Sequence, residues 1–113
     1  MSDRPVKLII QDMLDGIADI LAYTKGMNEQ DFYKDKKTRD AVERNLEIVG
    51  EAANRLPPEI HTKYSHIEWH RIISVRNRLI HAYFNIKDDI IWNVIIHFLP
   101  PLKVQLEEIL KDL

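Results

Sequence analysis

The helical pattern of this chain is clearest at residues 69–84, which read WHRIISVRNRLIHAYF. At about 100° per residue, the apolar side chains of this stretch fall within roughly 120° either side of Arg76. The stretch therefore predicts a helix with a cation beneath its apolar face. A guanidinium keeps its proton, and burying it without a partner costs several kcal/mol. We expect Arg76 to meet an acidic partner, a water-filled cleft or an anionic ligand.

Three more polar residues lie around the same stripe. Asn77 and His81 are four residues apart and share one edge, and Tyr83 returns to the line of Arg76 two turns on. Arg76, His81 and Tyr83 each also fit a structural role, as an ion-paired arginine, a hydrogen-bonded boundary histidine and a core tyrosine. Their combination on one helix favours a functional site, and a cleft that accepts phosphate would satisfy the arginine.

The preceding part of the chain has the same helical period. Apolar residues at three- and four-residue steps predict a first helix over about 5–25, with Gly26 as its C-terminal stop. After a short connection, a second pattern begins near Lys36 and must end before Pro57, because proline cannot continue a helix interior.

A third helix is predicted over about 66–84. Ser65 followed by Glu68 fits a capping box, in which the hydroxyl accepts a backbone N–H and the carboxylate reaches back. Asn85 tolerates the left-handed conformation and is the predicted stop.

Asp88 is the predicted cap of a fourth helix, which Pro100-Pro101 should kink or break before a last helical segment. No segment shows the alternation of a strand. We therefore predict an all-α fold, an up-and-down bundle of four to five antiparallel helices, formed as one domain by residues 1–113.

Composition restricts the functional classes. The chain has 113 residues, 45% of them hydrophobic, which suffices for one core but leaves little room for a deep enclosed pocket. A site shared between two subunits is therefore plausible. Cysteine is absent, which excludes disulfides and thiolate metal sites. No signal peptide or membrane-length apolar run is evident, so we expect a soluble cytoplasmic protein without membrane association.

Charge argues against a protein that coats nucleic acid nonspecifically, since the net charge is −2. The best local basic segment, residues 34–44, carries both signs and reads as a solvated helix face. His66 and His70 are four apart, but no third ligand occurs at a recognisable spacing, so we predict no metal site.

The motif formed by Arg76, Asn77, His81 and Tyr83 resembles the Arg-x-x-x-x-His-x-Tyr motif of HEPN-domain proteins. The nearest likeness is to HepT-like toxins encoded beside a minimal nucleotidyltransferase (MNT) antitoxin. Residues 44–52 and 90–92, as well as Trp69, also resemble that family, so the likeness spans nearly the whole chain. One departure follows the motif, where Asn-Ile-Lys stands in place of the Gly and acidic residue of many relatives.

This resemblance implies a metal-independent endoribonuclease that acts as a homodimer with two motifs facing one cleft. RNA supplies its own nucleophile, the 2′-OH, so the enzyme needs a proton shuttle and a cation for the transition state. His81 is the implied acid and base, and Arg76 the implied phosphate ligand. Asn77 and Tyr83 are the implied supporting residues. Glu51 is interpreted as the counter-charge of Arg76.

The resemblance also implies a control mechanism and the products. Cleavage should leave a 2′,3′-cyclic phosphate and a 5′-hydroxyl on RNA, possible substrates being tRNA or mRNA. The MNT partner should transfer AMP from ATP to Tyr83, which would fill the cleft and inactivate the toxin. No cofactor is implied for cleavage. Two alternatives stay open: a catalytically inactive HEPN subunit that binds nucleotide or partner, and a plain structural helical dimer.

Overall fold

Every regular element in the described part of the chain is helical, as the sequence predicts. The computed structural model describes residues 4–81 and 86–113. Its elements are α1 (Val6–Thr24), α2 (Glu29–Lys34), α3 (Lys36–Arg55), α4 (Pro58–Lys63), α5 (Trp69–Ile80), α6 (Asp88–Asn93), a π turn (Val94–Phe98) and α7 (Leu99–Asp112). The α6 helix, the π turn and α7 are continuous along the chain and form a single rod. The described residues therefore form six helical rods in all. None of the described helices is long and apolar enough to cross a membrane.

The core is built around α3, which packs against both α1 and α5. The predicted apolar stripes face one another, and their central residues are fully buried, among them Met13, Ile17, Leu46, Val49 and Ile72. Burying a side chain of this size contributes roughly 1.5–3 kcal/mol. The α7 helix covers α1 with its own stripe, which includes Leu102 and Leu106. The bundle therefore holds α5, the helix that carries the motif, through its contact with α3.

Two helical glycines let these helices approach closely. A Cβ placed on Gly16 would lie 2.6 Å from Cγ2 of Val49. A Cβ on Gly50 would collide with the Arg76 side chain and come within 2.9 Å of the Ile72 carbonyl oxygen. The backbone of α3 therefore touches α5 at the level of Arg76, and only glycine fits there.

The first two predicted helices are confirmed within one residue or two. Gly26 adopts a positive φ of 80° directly after α1, as its predicted role as a stop requires. Two short helices were not predicted. The α2 helix begins with a capping box of Asn28 and Asp31, and α4 begins with Pro58 at its first position. Six residues are too few to display an apolar period.

The predicted start of the third helix is wrong. The chain turns between Tyr64 and Glu68, and α5 begins at Trp69 without a side-chain cap. Tyr64 and Ile67 are buried in this turn, and the indole N–H of Trp69 donates to the Tyr64 carbonyl at 3.1 Å. Packing of these apolar side chains outweighs the capping box read from Ser65.

The predicted ends near the motif also need correction. The α5 helix stops at Ile80, because His81 adopts extended backbone angles of φ −103° and ψ 96°. The predicted continuation to residue 84 is therefore wrong at His81, and Asn85 lies outside the described residues. Asp88 does not cap α6. Lys87 occupies that position, and Asp88 lies in the first turn, 3.6 Å from Arg39.

The two prolines distort the last helix without ending it. A π turn over Val94–Phe98 immediately precedes them, and the backbone N–H of Leu99 donates to the carbonyl of Val94, five residues earlier. Prolines remove two donors and crowd the preceding turn, which a wider turn accommodates. The predicted kink or break thus takes the form of a π turn, and the helix continues to Asp112.

Candidate active site

Arg76 lies on the inner side of α5 and reaches outward past Gly50. Its side chain keeps 23% of its exposure, so it is half-buried rather than enclosed. Nη2 lies 2.5 Å from Oε2 of Glu51, and Nη1 donates to Oδ1 of Asn77 at 2.7 Å. The acidic partner expected from the sequence is therefore present, and it is Glu51. The guanidinium is held by a carboxylate from α3 and an amide from its own helix.

Glu51 is shared between two cations. Its Oε1 lies 3.4 Å from Nε of Arg55, one turn further along α3, while its Oε2 contacts Arg76. The Glu51 side chain is 36% exposed, so solvent weakens both pairs and neither contributes more than about 1 kcal/mol to stability. The main effect of Glu51 is to orient the Arg76 guanidinium rather than to stabilise the fold, since its carboxylate holds one end of the guanidinium fork.

Arg76 opens into a groove between α1 and α3, which we call the α1–α3 groove. The groove has a volume of about 540 Å³ and includes Ile80 of α5 in its wall. Five carboxylates and four guanidiniums line it: Asp12, Asp15, Asp19, Glu47, Glu51, Arg4, Arg44, Arg55 and Arg76. As formed by the described residues of one copy, this groove is therefore not a basic channel, and an anion that entered it would meet positive charge only near the arginines.

His81 follows the last residue of α5 and is exposed. Its backbone N–H donates to the carbonyl of Asn77 at 3.2 Å. Asn77 thus connects the two motif residues, because its side chain accepts from Arg76 while its carbonyl anchors His81. The backbone changes from helical to extended at His81, so this residue lies at the C-terminal end of α5.

Four of the five predicted site residues lie in the described part of the chain. Glu51, Arg76 and Asn77 are brought into direct contact, and His81 is tied to Asn77 through the backbone. Tyr83 lies outside the described residues. Gly50 was not predicted, although it sets the position of Arg76; a glycine inside a helical pattern, which costs stability, was the available signal.

His61 and both tryptophans make packing contacts, whereas His66, His70 and His97 are exposed. The rings of His61 and Trp69 stack with centroids 5.1 Å apart, and His61 Nε2 lies 2.9 Å from the Ala53 carbonyl oxygen. Trp92 packs on Phe32, as expected for a core residue. Within residues 4–81 and 86–113, no group of three His, Cys, Asp or Glu side chains is arranged to hold a metal ion.

Comparison with known proteins decides the family. Residues 13–109 match the family described as "Ribonuclease HepT-like". The chain belongs to this family. Its all-α fold agrees with the HEPN-like helical architecture that the resemblance implied, and its enzyme class is ribonuclease.

Three curated relatives are each matched over most of this chain and most of their own length. "Putative RNase MJ0127" of Methanocaldococcus jannaschii is 39% identical over all of this chain and 93% of its own length. "Putative RNase TTE0752" of Caldanaerobacter subterraneus subsp. tengcongensis is 40% identical over 81% of this chain and 82% of its own. "Probable ribonuclease HepT" of Thermococcus cleftensis is 34% identical over 96% of this chain and 98% of its own length. No solved structure matches the chain.

Proposed function

We propose that this HepT-like chain is a metal-independent endoribonuclease in which His81 moves protons and Arg76 stabilises the reacting phosphate. The observation that carries the proposal is the position of Arg76, whose guanidinium is fixed by Glu51 and Asn77 at the edge of an open groove. A half-buried cation held from behind provides preorganised positive charge where a phosphate can enter.

The reaction uses only groups that RNA and the chain supply. A general base takes the proton of the 2′-OH, the 2′ oxygen bonds to phosphorus, and the bond from phosphorus to the 5′ oxygen breaks. A general acid protonates the departing 5′ oxygen. The products are a 2′,3′-cyclic phosphate and a 5′-hydroxyl, and water is not consumed. Histidine serves both roles because its side chain titrates near neutral pH.

Arg76 has N–H groups that its contacts with Glu51 and Asn77 leave available for a phosphate. A guanidinium carries five N–H groups, and Glu51 and Asn77 engage its two terminal nitrogens. The remaining N–H groups are available to two phosphate oxygens, which accumulate charge as the phosphorane-like transition state forms. Glu51 thus acts as a positioning residue and does not touch RNA in this mechanism.

The functional unit in this proposal is a homodimer built across the α1–α3 groove. Ile48 and Ile80 lie at this groove and are 38% and 40% exposed, so the groove presents apolar surface that a second copy can cover. The aspartates of α1 and the arginines of α3 have opposite signs, so a two-fold axis can pair one copy's acidic side with the other's basic side. Two copies of His81 then provide separate acid and base.

The control mechanism in this proposal is adenylylation in a type VII-like toxin–antitoxin pair. A cognate MNT antitoxin transfers AMP from ATP to the phenolic oxygen of Tyr83 and releases pyrophosphate. Tyr83 follows His81 by two residues, so its AMP group would compete with RNA for the same cations. The support for this step is the motif and the family, and the expected setting is the cytoplasm.

The test is a substrate that lacks the internal nucleophile. Wild-type protein, shown by intact mass to carry no AMP, is incubated with an RNA oligonucleotide and with the same sequence methylated at every 2′ oxygen. We expect cleavage of the first and none of the second. Cleavage of both would overturn 2′-OH attack. Cleavage of neither, with the MNT partner still bound, would favour the inactive subunit that the sequence left open.

A further inference from the structure

A second groove lies on the outer side of α5, away from Arg76. It runs between α5 and α6, has a volume of about 540 Å³, and we call it the α5–α6 groove. Its apolar wall includes Val75 and Val94, which are buried, and Ile90, which is 38% exposed. Its polar rim consists of His70, Arg71, Ser74, Arg78, Asp89 and Asn93. The proposed cleavage reaction uses none of these residues.

The two arginines of the rim differ in their contacts. Arg71 lies over the Phe98 ring at 4.5 Å and 3.6 Å from Glu68, so its position is fixed. Arg78 is exposed and makes no ion pair or side-chain hydrogen bond in the described part of the chain. An unpaired guanidinium at the rim of an apolar cavity is suited to an anionic ligand with an apolar body.

The position of Arg78 relates the groove to the motif. Arg78 lies three residues before His81, so the two are neighbours at the C-terminal end of α5, whereas Arg76 lies on the other side. A nucleotide adjacent to a scissile phosphate near Arg76 and His81 could therefore reach Arg78. The distance to cover is about one helix diameter, ~10 Å.

We propose that the α5–α6 groove binds a nucleotide of single-stranded RNA next to the one that is cut. Arg78 contacts the backbone phosphate, and the base packs against Val75 and Ile90. Asn93 and Ser74 offer hydrogen bonds to the base edge, which would give the enzyme a sequence preference. Asp89 opposes phosphate binding and limits the affinity. The proposal rests on RNA being the substrate class of the proposed function.

The test measures RNA binding without cleavage. A fluorescently labelled single-stranded RNA oligonucleotide is titrated by anisotropy, in EDTA, into His81→Ala protein with and without Arg78→Ala. Loss of one charge-assisted contact should raise Kd roughly tenfold and lower the slope of log K against log salt by about 0.7. Lys111→Ala is the matched control, because it removes an exposed cation from the end of α7 and should change neither quantity.

A second variant should change the RNA affinity in the opposite direction. Asp89→Asn retains the oxygen that accepts the Ile90 N–H and removes the negative charge, so it should tighten RNA binding several-fold. Damage to the fold cannot produce tighter binding. Equal Kd values for Arg78→Ala and its parent, or equal losses in Arg78→Ala and Lys111→Ala, would overturn the groove proposal. Because binding is read without cleavage, failure of the nuclease mechanism would leave this result interpretable.

Discussion

Arg76 has partners even when no RNA is bound. Glu51 and Asn77 hold it from two sides, so in the proposed reaction it would have little rotamer freedom left to lose. An exposed arginine would have to be ordered by the substrate, at a cost of up to about 2 kcal/mol in side-chain entropy. Under the proposed mechanism, we therefore expect the ion pair between Arg76 and Glu51 to affect the cleavage rate more than the stability of the fold.

Replacing Arg76 by lysine should separate charge from geometry. Lysine preserves the charge and can contact Glu51, but it lacks the planar fork that binds two phosphate oxygens. We expect kcat/KM for RNA to fall by about 10²–10³, the range for losing one preorganised donor, while the melting temperature changes little. Initial rates on a labelled oligonucleotide and thermal unfolding measure the two quantities.

Arg55→Lys is the control for this substitution. Arg55 also contacts Glu51, but its side chain is 54% exposed and the proposed reaction does not use it. Its kcat/KM should stay within a factor of two or three of the wild-type value. If Arg76→Lys kept as much activity as Arg55→Lys, Arg76 would act only through its charge. A similar loss in both variants would mean that the effect is not specific to the position of Arg76.

The sequence predicted that Arg76 needs an acidic partner, and it predicted Glu51 as that partner. The helical period placed a cation under an apolar stripe, and Glu51 was the acidic residue in the segment that resembles the partner helix. The partial exposure of Arg76 was not predictable, because it depends on how closely α3 approaches α5. That distance is set by Gly50, whose role appears only when the two backbones are placed together.

The crossing of α3 and α5 is the element that positions the site. Gly50→Ala would insert a methyl group against the Arg76 side chain and the Ile72 carbonyl. Overpacking costs about 1–3 kcal/mol, partly offset by about 1 kcal/mol of better helix propensity. We expect a lower melting temperature and, measured below it, a fall in kcat larger than the change in KM, because Arg76 is displaced.

Gly16→Ala is the matched variant at the crossing of α1 and α3. Its methyl group would meet the Val49 side chain and no atom of Arg76. The melting temperature should fall here too, whereas kcat below the transition should remain near the wild-type value. If both alanine variants kept full kcat, Gly50 would be a packing residue without influence on the site.

The long helices α1 and α3 were predictable together with their ends, but the short helices and the ends of α5 were not. The stripes of α1 and α3 extend over five turns each, so one misread residue does not change the period. The α2 helix is six residues long and depends on its capping box, and the start of α5 depends on where Tyr64 and Trp69 pack. Such boundaries follow from tertiary contacts that the one-dimensional pattern does not contain.

The whole molecule leaves an apolar edge beside the α1–α3 groove, and the proposed homodimer covers it. We expect the wild type to sediment as a particle of twice the 13.4 kDa chain mass. The double substitution Ile48→Glu and Ile80→Glu places four extra charges in that interface and should give a folded monomer without ribonuclease activity. Analytical ultracentrifugation and circular dichroism measure mass and fold.

Val104→Glu is the control for surface charge. Val104 is 56% exposed on α7 and does not line the groove, so this variant should remain dimeric and active. A monomeric wild type that still cleaves RNA would remove the dimer from the proposal, and His81 of one copy would then have to serve as both acid and base.

Stability should respond to pH through Glu43. Burial raises the pKa of this carboxyl above the ordinary value of 4.5, with added repulsion from Asp40 and Asp88. A raised folded pKa means that the folded state binds the proton more tightly, so ionisation destabilises it as pH rises through that value. Glu43→Gln should therefore raise the melting temperature at pH 7 and have little effect at pH 4.

Asp35 should change the stability in the opposite direction over the same pH range, because its pKa is lowered rather than raised. Its carboxylate accepts the backbone and hydroxyl hydrogens of Thr38 at the start of α3, which lowers its pKa below the ordinary 3.8. The stabilisation by Asp35 is therefore present at neutral pH and lost as pH falls through the folded value. Asp35→Asn should cost stability at pH 7 and progressively less in acid. A uniform effect of either variant across this range would contradict the assignment.

The central claim is that His81 and Arg76 cleave RNA without a metal, and the most direct measurement is the chemistry of the cut ends. Unmodified wild-type protein and His81→Ala are incubated with an RNA oligonucleotide in EDTA, and the products are identified by mass spectrometry. We predict a 2′,3′-cyclic phosphate and a 5′-hydroxyl from the wild type and intact RNA from His81→Ala. Products bearing a 5′-phosphate, or cleavage that appears only when Mg²⁺ is restored, would contradict it.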